Sequence, residues 1–181
     1  MQQQKLTAEI WLDLALDTLA QEGFNGLKAL PLAKKLKVTR GSFYYHFESL
    51  EAFHNAVVAH WAKRTSGPVI EGLQNSPTAK DALHDLLQTT LQSGEVLERA
   101  VRSWATVEHS VAEEVAKVDL LRIGVAEDLL QRSGVPATHA AARARLLYWA
   151  AIGRLMMPFP DASRLSAEDI TEITGLMLSR A

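Results

Sequence analysis

Hydroxyl residues punctuate this chain at Thr7, Thr39, Ser49, Thr78, Ser110 and Ser166, and each stands ahead of a segment whose apolar residues return every three or four positions. That spacing is the helical period. A side-chain oxygen placed just before it can accept one of the orphan amides of a first turn. No stretch alternates polar and apolar residues over the length of a strand, and no Asn-Gly pair marks a hairpin. The expected fold is therefore all-α, with about nine helices.

Thr7 opens a first helix to about Glu22, with Trp11, Leu14, Ala15, Thr18 and Leu19 along one face. Glu9 lies in its first turn, where a carboxylate suits the helix dipole. Gly23 is placed for a left-handed cap, and Phe24 for a return to the core. A second helix begins near Ala29, with Pro31 in its first turn. The helix opened by Ser49 is expected to stop near Lys63, before the Ser66-Gly67-Pro68 break. Thr78 to Asp81 opens another, and Glu95 to about Thr106 a further one. The Ser110–Glu113 pattern resembles a capping box and opens a long helix that ends at Gly134. Pro136 opens the next, to about Met157, and Ser166 to Asp169 starts the last.

The 181 residues, 48% of them hydrophobic, suffice for a substantial core. No apolar run reaches the roughly 18 residues of a membrane span. The opening Met1-Gln2-Gln3-Gln4-Lys5 lacks the apolar heart of a signal peptide. There is no cysteine, which excludes disulfides and thiolate metal sites and fits a reducing cytoplasm.

Charge is distributed unevenly. The whole chain is −2, yet Lys28, Lys34, Lys35, Lys37 and Arg40 stand between Lys28 and Phe47 without a single acid. Residues 1–64 hold eight basic and six acidic side chains, and residues 65–181 hold eleven and fifteen. The acidic remainder repels a polyanion, so any nucleic-acid contact belongs to the N-terminal part. In Ala33-Lys34-Lys35-Leu36-Lys37-Val38 the apolar residues can face inward while the lysines stay in water. After a tight turn, Thr39 can cap a helix that starts at Arg40. Two short helices joined in this way, over about residues 28–47, make the pattern of a helix-turn-helix. Alone, the lysines would read as a solvated helix face. The absence of acids and the adjoining Thr39–His46 segment favour DNA.

The ordered set Ala15, Leu19, Gly23-Phe24, Leu32-Ala33, Leu36, Val38-Thr39, Ser42-Phe43-Tyr44 and His46-Phe47 resembles the tetracycline-repressor (TetR) family of bacterial transcription regulators over about residues 7–60. The resemblance implies an N-terminal DNA-binding domain, residues 1–48, and a C-terminal helical regulatory, ligand-binding and dimerisation domain, residues 49–181. It implies a homodimer that binds a pseudo-palindromic operator as a repressor and leaves it when a small-molecule effector enters the C-terminal domain. It places Thr39, Arg40, Gly41, Ser42, Tyr44, Tyr45 and His46 at the DNA. The chemistry agrees. Gly41 lets the backbone approach closely, Arg40 can pair with a guanine edge or a phosphate, and Tyr44 and His46 can donate to phosphates. One of Tyr44 and Tyr45 is expected to be partly buried. Phe43 and Phe47 are expected to be core.

Two positions depart from the family. Lys28 stands where a small hydroxyl residue usually caps the second helix; it can reach a phosphate but cannot cap. Leu50 stands where Lys or Arg usually meets a phosphate. These departures keep a second reading open: a helical small-molecule-binding protein or enzyme that has lost DNA binding.

The histidines at 46, 54, 60, 84, 109 and 139 offer no pair at i, i+4 with a carboxylate between them, so no metal and no cofactor is expected. Adjacent acids such as Glu113-Glu114 diverge around a helix, and no catalytic constellation stands out. Candidates for a ligand pocket are Trp61, Arg102, Trp104, Glu108, His109, Tyr148, Trp149 and Met156, any of which can equally be core. Ala140, Ala141, Ala142, Ala144, Ala150, Ala151, Gly153 and Gly175 let helices approach closely. The resemblance implies a dimer interface there, over about 137–157 and 167–180.

Overall fold

The computed structural model describes residues 6–92, 96–158 and 164–179, with side chains at all of these except 68–75 and 92. It is all-helical, and the described residues contain no strand. The helices are α1 (Ala8–Glu22), α2 (Ala29–Lys35), α3 (Arg40–His46), α4 (Leu50–Asn75), α5 (Ala79–Gln92), α6 (Val96–Ala105), α7 (His109–Arg132), α8 (Ala137–Leu155) and α9 (Ala167–Leu178), with one 3-10 turn at Phe24–Gly26.

The chain divides into two compact units. One comprises Met1–Arg64 and Val96–Ala116, the other Thr65–Glu95 and Lys117–Ala181. The first unit is thus larger than a helix-turn-helix alone. It includes the start of α4 because Phe53, Val57 and Trp61 are buried, and it includes α6 because Val101 and Trp104 are buried.

The core of the first unit is aromatic. Phe43 of α3 meets Trp11 of α1 edge-on at 5.5 Å and Phe53 of α4 at 5.0 Å, and Phe47 meets Phe53 at 4.9 Å. Each such pair contributes about 0.5–1.5 kcal/mol beyond its buried area. The phenylalanines at 43 and 47 are therefore core, as the sequence implied. The second unit is packed with smaller residues, among them Leu83, Leu87, Leu129, Leu130, Ala140 and Ala144.

Several helix starts follow their cap signals. The Ser49 hydroxyl accepts from the Ala52 amide at 3.0 Å, that of Thr78 from the Asp81 amide at 3.1 Å, and that of Ser166 from the Asp169 amide at 3.1 Å. The Ser166–Asp169 capping box is complete, and the bonds from Ser166 hold the Asp169 carboxyl below its ordinary pKa.

Other starts and ends differ from the sequence reading. Thr39 takes the cap position but makes no side-chain cap bond, because the Ser42 amide is already held by the Thr39 carbonyl at 3.0 Å. Thr7 also caps by position alone. α7 starts at His109, so Ser110 lies inside the first turn, and Glu113 faces the His109 ring at 3.3 Å. Gly23 has φ 74° but ψ −179°, an extended and not a left-handed helical cap, and Leu27 is more deeply buried than Phe24. The largest difference is α4, which runs through Ser66-Gly67-Pro68 to Asn75. Proline there removes one backbone donor, but the residue before it is glycine. With no Cβ at position 67, much of the clash that pushes a pre-proline residue out of the helix is gone.

Candidate DNA-binding site

α2 buries Ala29, Leu32 and Ala33, and α3 buries Phe43. These residues fix the two short helices against α1 and leave the other face of α3 to solvent. Thr39, Arg40, Gly41, Tyr44 and Tyr45 are exposed, and Ser42 and His46 are half-buried. The structure thus brings the sequence-predicted residues of α3 into one short helix and its cap. Lys28 sits at the start of α2, exposed and without a side-chain cap bond.

The tyrosines differ in exposure, Tyr44 being the more covered of the two. Tyr44 is 44% exposed, so partly buried, and Tyr45 is 84% exposed. Tyr44 rests edge-on against Phe43 at 5.2 Å. Its hydroxyl accepts from Arg40 Nη2 at 3.0 Å, and the guanidinium carbon lies 5.3 Å from its ring centre. Arg40 is therefore held at the helix surface by a partner one turn on, with its remaining donors available. Gly41 needs no unusual backbone. A Cβ there would meet only the Thr39 hydroxyl, at 3.6 Å, so the fold itself does not require glycine.

The lysines sort into two kinds. Lys35 Nζ lies 2.6 Å from Glu22 and 2.9 Å from the Thr18 hydroxyl, which ties α2 to α1. Among the described residues, no hydrogen bond or ion pair engages the ammonium of Lys28, Lys34 or Lys37. The roles of Glu22 and Thr18 in this tie had no sequence signal, because the partners lie on different helices.

Residues 12–57 match the family model for bacterial regulatory proteins of the tetR family. The chain carries a TetR-family DNA-binding domain. The likeness in fold extends beyond that domain. NemR of Escherichia coli in its reduced form superposes with a TM-score of 0.75 at 22% identity, covering 94% of this chain and 95% of that one. SCO4454, a TetR-family transcriptional regulator from Streptomyces coelicolor, gives 0.76 at 17% identity over 94% and 88%. A TetR transcriptional regulator from Legionella pneumophila gives 0.71 at 18% identity over 95% of both chains. No curated protein sequence matches significantly. The chain thus has the fold and the DNA-binding domain of a TetR-family transcriptional regulator.

Beyond that domain, the pocket candidates fall in both units. Trp61, Arg102, Trp104, Glu108 and His109 belong to the first unit, and Tyr148, Trp149 and Met156 to the second. Trp61 and Trp104 are core. Arg102 grips the buried Glu98 at 2.8 Å, and His109 is exposed beside Glu113. Tyr148 donates to the Asp119 carboxylate. Trp149 and Met156 are exposed. An apolar groove of about 430 Å³ in the second unit is lined by Leu91, Leu146, Ala150, Arg154, Ile173 and Met177, among others.

Three of the histidines have hydrogen-bonding partners within the fold. His54 Nε2 meets the Leu27 carbonyl at 3.0 Å, His60 meets Asp13 at 2.9 Å and His84 meets the Thr174 hydroxyl at 3.3 Å. Among the described residues, no group of histidine and carboxylate side chains has metal-binding proximity, and no helix is long and apolar enough to cross a membrane.

Proposed function

We propose that this protein is a cytoplasmic, homodimeric repressor that binds a pseudo-palindromic operator and is released by a small-molecule effector. The observation that carries the reading is the exposed face of α3. Thr39, Arg40, Gly41, Tyr44 and Tyr45 are exposed, in a stretch with five basic residues and no acid. Phosphates attract that charge, and a guanidinium steadied at a helix surface suits a guanine edge. Lys28, Ser42 and His46 complete the contact surface.

The dimer is assigned to α8 and α9, over about 137–157 and 167–180. Leu146, Trp149 and Leu176 are each more than half exposed there, and the apolar groove lies on the same helices. Exposed apolar area of this kind marks an interaction surface, and a two-fold pair is the commonest way to close one. Two copies so related would read half-sites about 34–36 Å apart or a multiple of that.

A gel-shift with DNA flanking the protein's own gene tests the reading. Specific retardation that weakens with salt supports it. No retardation at micromolar protein would favour a helical small-molecule-binding protein that has lost DNA binding. A compound screen for release then identifies the effector.

A further inference from the structure

Two helices of this chain end in the same hydrogen-bond pattern with different residues at the decisive place. After α7, the Gly134 amide donates to the Gln131 carbonyl at 2.9 Å and the Val135 amide to the Leu130 carbonyl at 3.0 Å. After α2, the Lys37 amide donates to the Lys34 carbonyl at 3.1 Å and the Val38 amide to the Ala33 carbonyl at 3.0 Å. Both are Schellman ends, which place their C′ residue in the left-handed region. Gly134 has φ 93° and Lys37 has φ 57°. Glycine adopts that conformation freely, whereas the Cβ of lysine crowds the following carbonyl. Among the described residues, Lys37 is the one non-glycine residue with positive φ.

Strain of this kind persists where the surrounding structure enforces it, and it gathers at functional positions. Lys37 is exposed and stands two residues before the cap of α3. Lys35 is spent on Glu22 and Thr18, but nothing among the described residues engages the Lys37 ammonium. The turn therefore accepts a strained residue whose charge the fold does not use.

We propose that Lys37 is a DNA-phosphate contact, and that its ammonium is the reason lysine occupies a turn that glycine would close with less strain. The inference rests on the DNA-binding reading above. Lys37 is exposed two residues before the Thr39 cap of α3, and its stem is long and flexible. A flexible point charge suits a phosphate better than a base edge, which a planar fork reads. Lys37 then positions the protein on any duplex and adds no sequence preference.

The test compares the full chain with Lys37→Gly and Lys37→Arg on a fluorescein-labelled duplex of random sequence, titrated at several salt concentrations. Lys37→Gly should raise Tm by about 2–4 °C, because the strain is relieved. It should also reduce the slope of log affinity against log salt by about 0.9 per protomer bound. Lys37→Arg should keep the wild-type slope. A Lys37→Gly slope equal to that of a salt-dependent wild type overturns the proposal and leaves the DNA-binding reading standing. A wild type that binds no duplex even at low salt overturns both. A Lys37→Gly protein that loses slope and also melts lower overturns the proposal, since the loss is then one of structure.

Discussion

The two units bury different chemistry and expose different chemistry. The first closes around Trp11, Phe43 and Phe53, and α3 shows water a guanidinium, hydroxyls and glycine. The second closes around leucines and alanines, and α8 and α9 show water Leu146, Trp149 and Leu176. Large rings let a short helix such as α3 be anchored by one residue, Phe43, so the rest of its face is left for a polyanion. Small core residues bring helices close together, and the apolar side chains left outside need a partner of their own kind. The lesson is that the exposed residues, set against what each unit already buries, indicate the sort of molecule each surface receives.

The comparison breaks most severely if the aromatic anchor is removed. Phe43→Ala should cost about 3–5 kcal/mol, measured by denaturant unfolding. A cost under about 1 kcal/mol would mean that α3 is not held by this ring. On the other unit, Ala150→Glu puts a carboxylate into the exposed apolar groove. Sedimentation should show a dimer weakened at least about 100-fold, or 2.8 kcal/mol, with helicity by circular dichroism unchanged. A wild type that sediments as a monomer at micromolar concentration would remove the dimer reading.

Arg40→Ala should cost about 1–3 kcal/mol of operator affinity at constant Tm, read by fluorescence anisotropy and thermal melting. Gly41→Ala separates folding from binding by sign. The fold leaves room for the Cβ, so stability should rise by about 0.5–1 kcal/mol while operator affinity falls. A variant both more stable and equally tight would show that DNA does not approach Gly41. The smallest effect is expected at Leu50, which is 37% exposed at the first position of α4. Leu50→Lys should steepen the salt slope by about 0.9 per protomer, equally on operator and random DNA. An unchanged slope would turn position 50 away from the phosphates.

The helix plan was legible where a cap or breaker acts locally. Ser166 and Asp169 meet across three residues, and α7 stops just before Gly134, where its end was expected. Local signals failed where the neighbour decided the outcome: Pro68 stays inside α4 because the residue before it is glycine. The exposed face of α3 was readable because its residues are contiguous. The strain at Lys37 was not, since lysine carries no mark of a left-handed conformation. The pocket candidates were chosen for size and polarity, which predict burial, as found for Trp61 and Trp104. The groove in the second unit is lined largely by leucine and methionine, common core residues that carry no mark of a groove in the sequence.

The tryptophans give the molecule a built-in optical readout. Trp11 and Trp61 are 0% exposed and Trp104 1%, whereas Trp149 on α8 is 64% exposed. A soluble quencher such as acrylamide should therefore collide mainly with the indole of Trp149, and the other three should dominate the unquenched emission. If a second copy covers α8, the quenchable fraction becomes a function of protein concentration. If an effector or DNA alters only the first unit, the emission wavelength should move while that fraction stays fixed. Association and local rearrangement would then be separable in one cuvette, without a label.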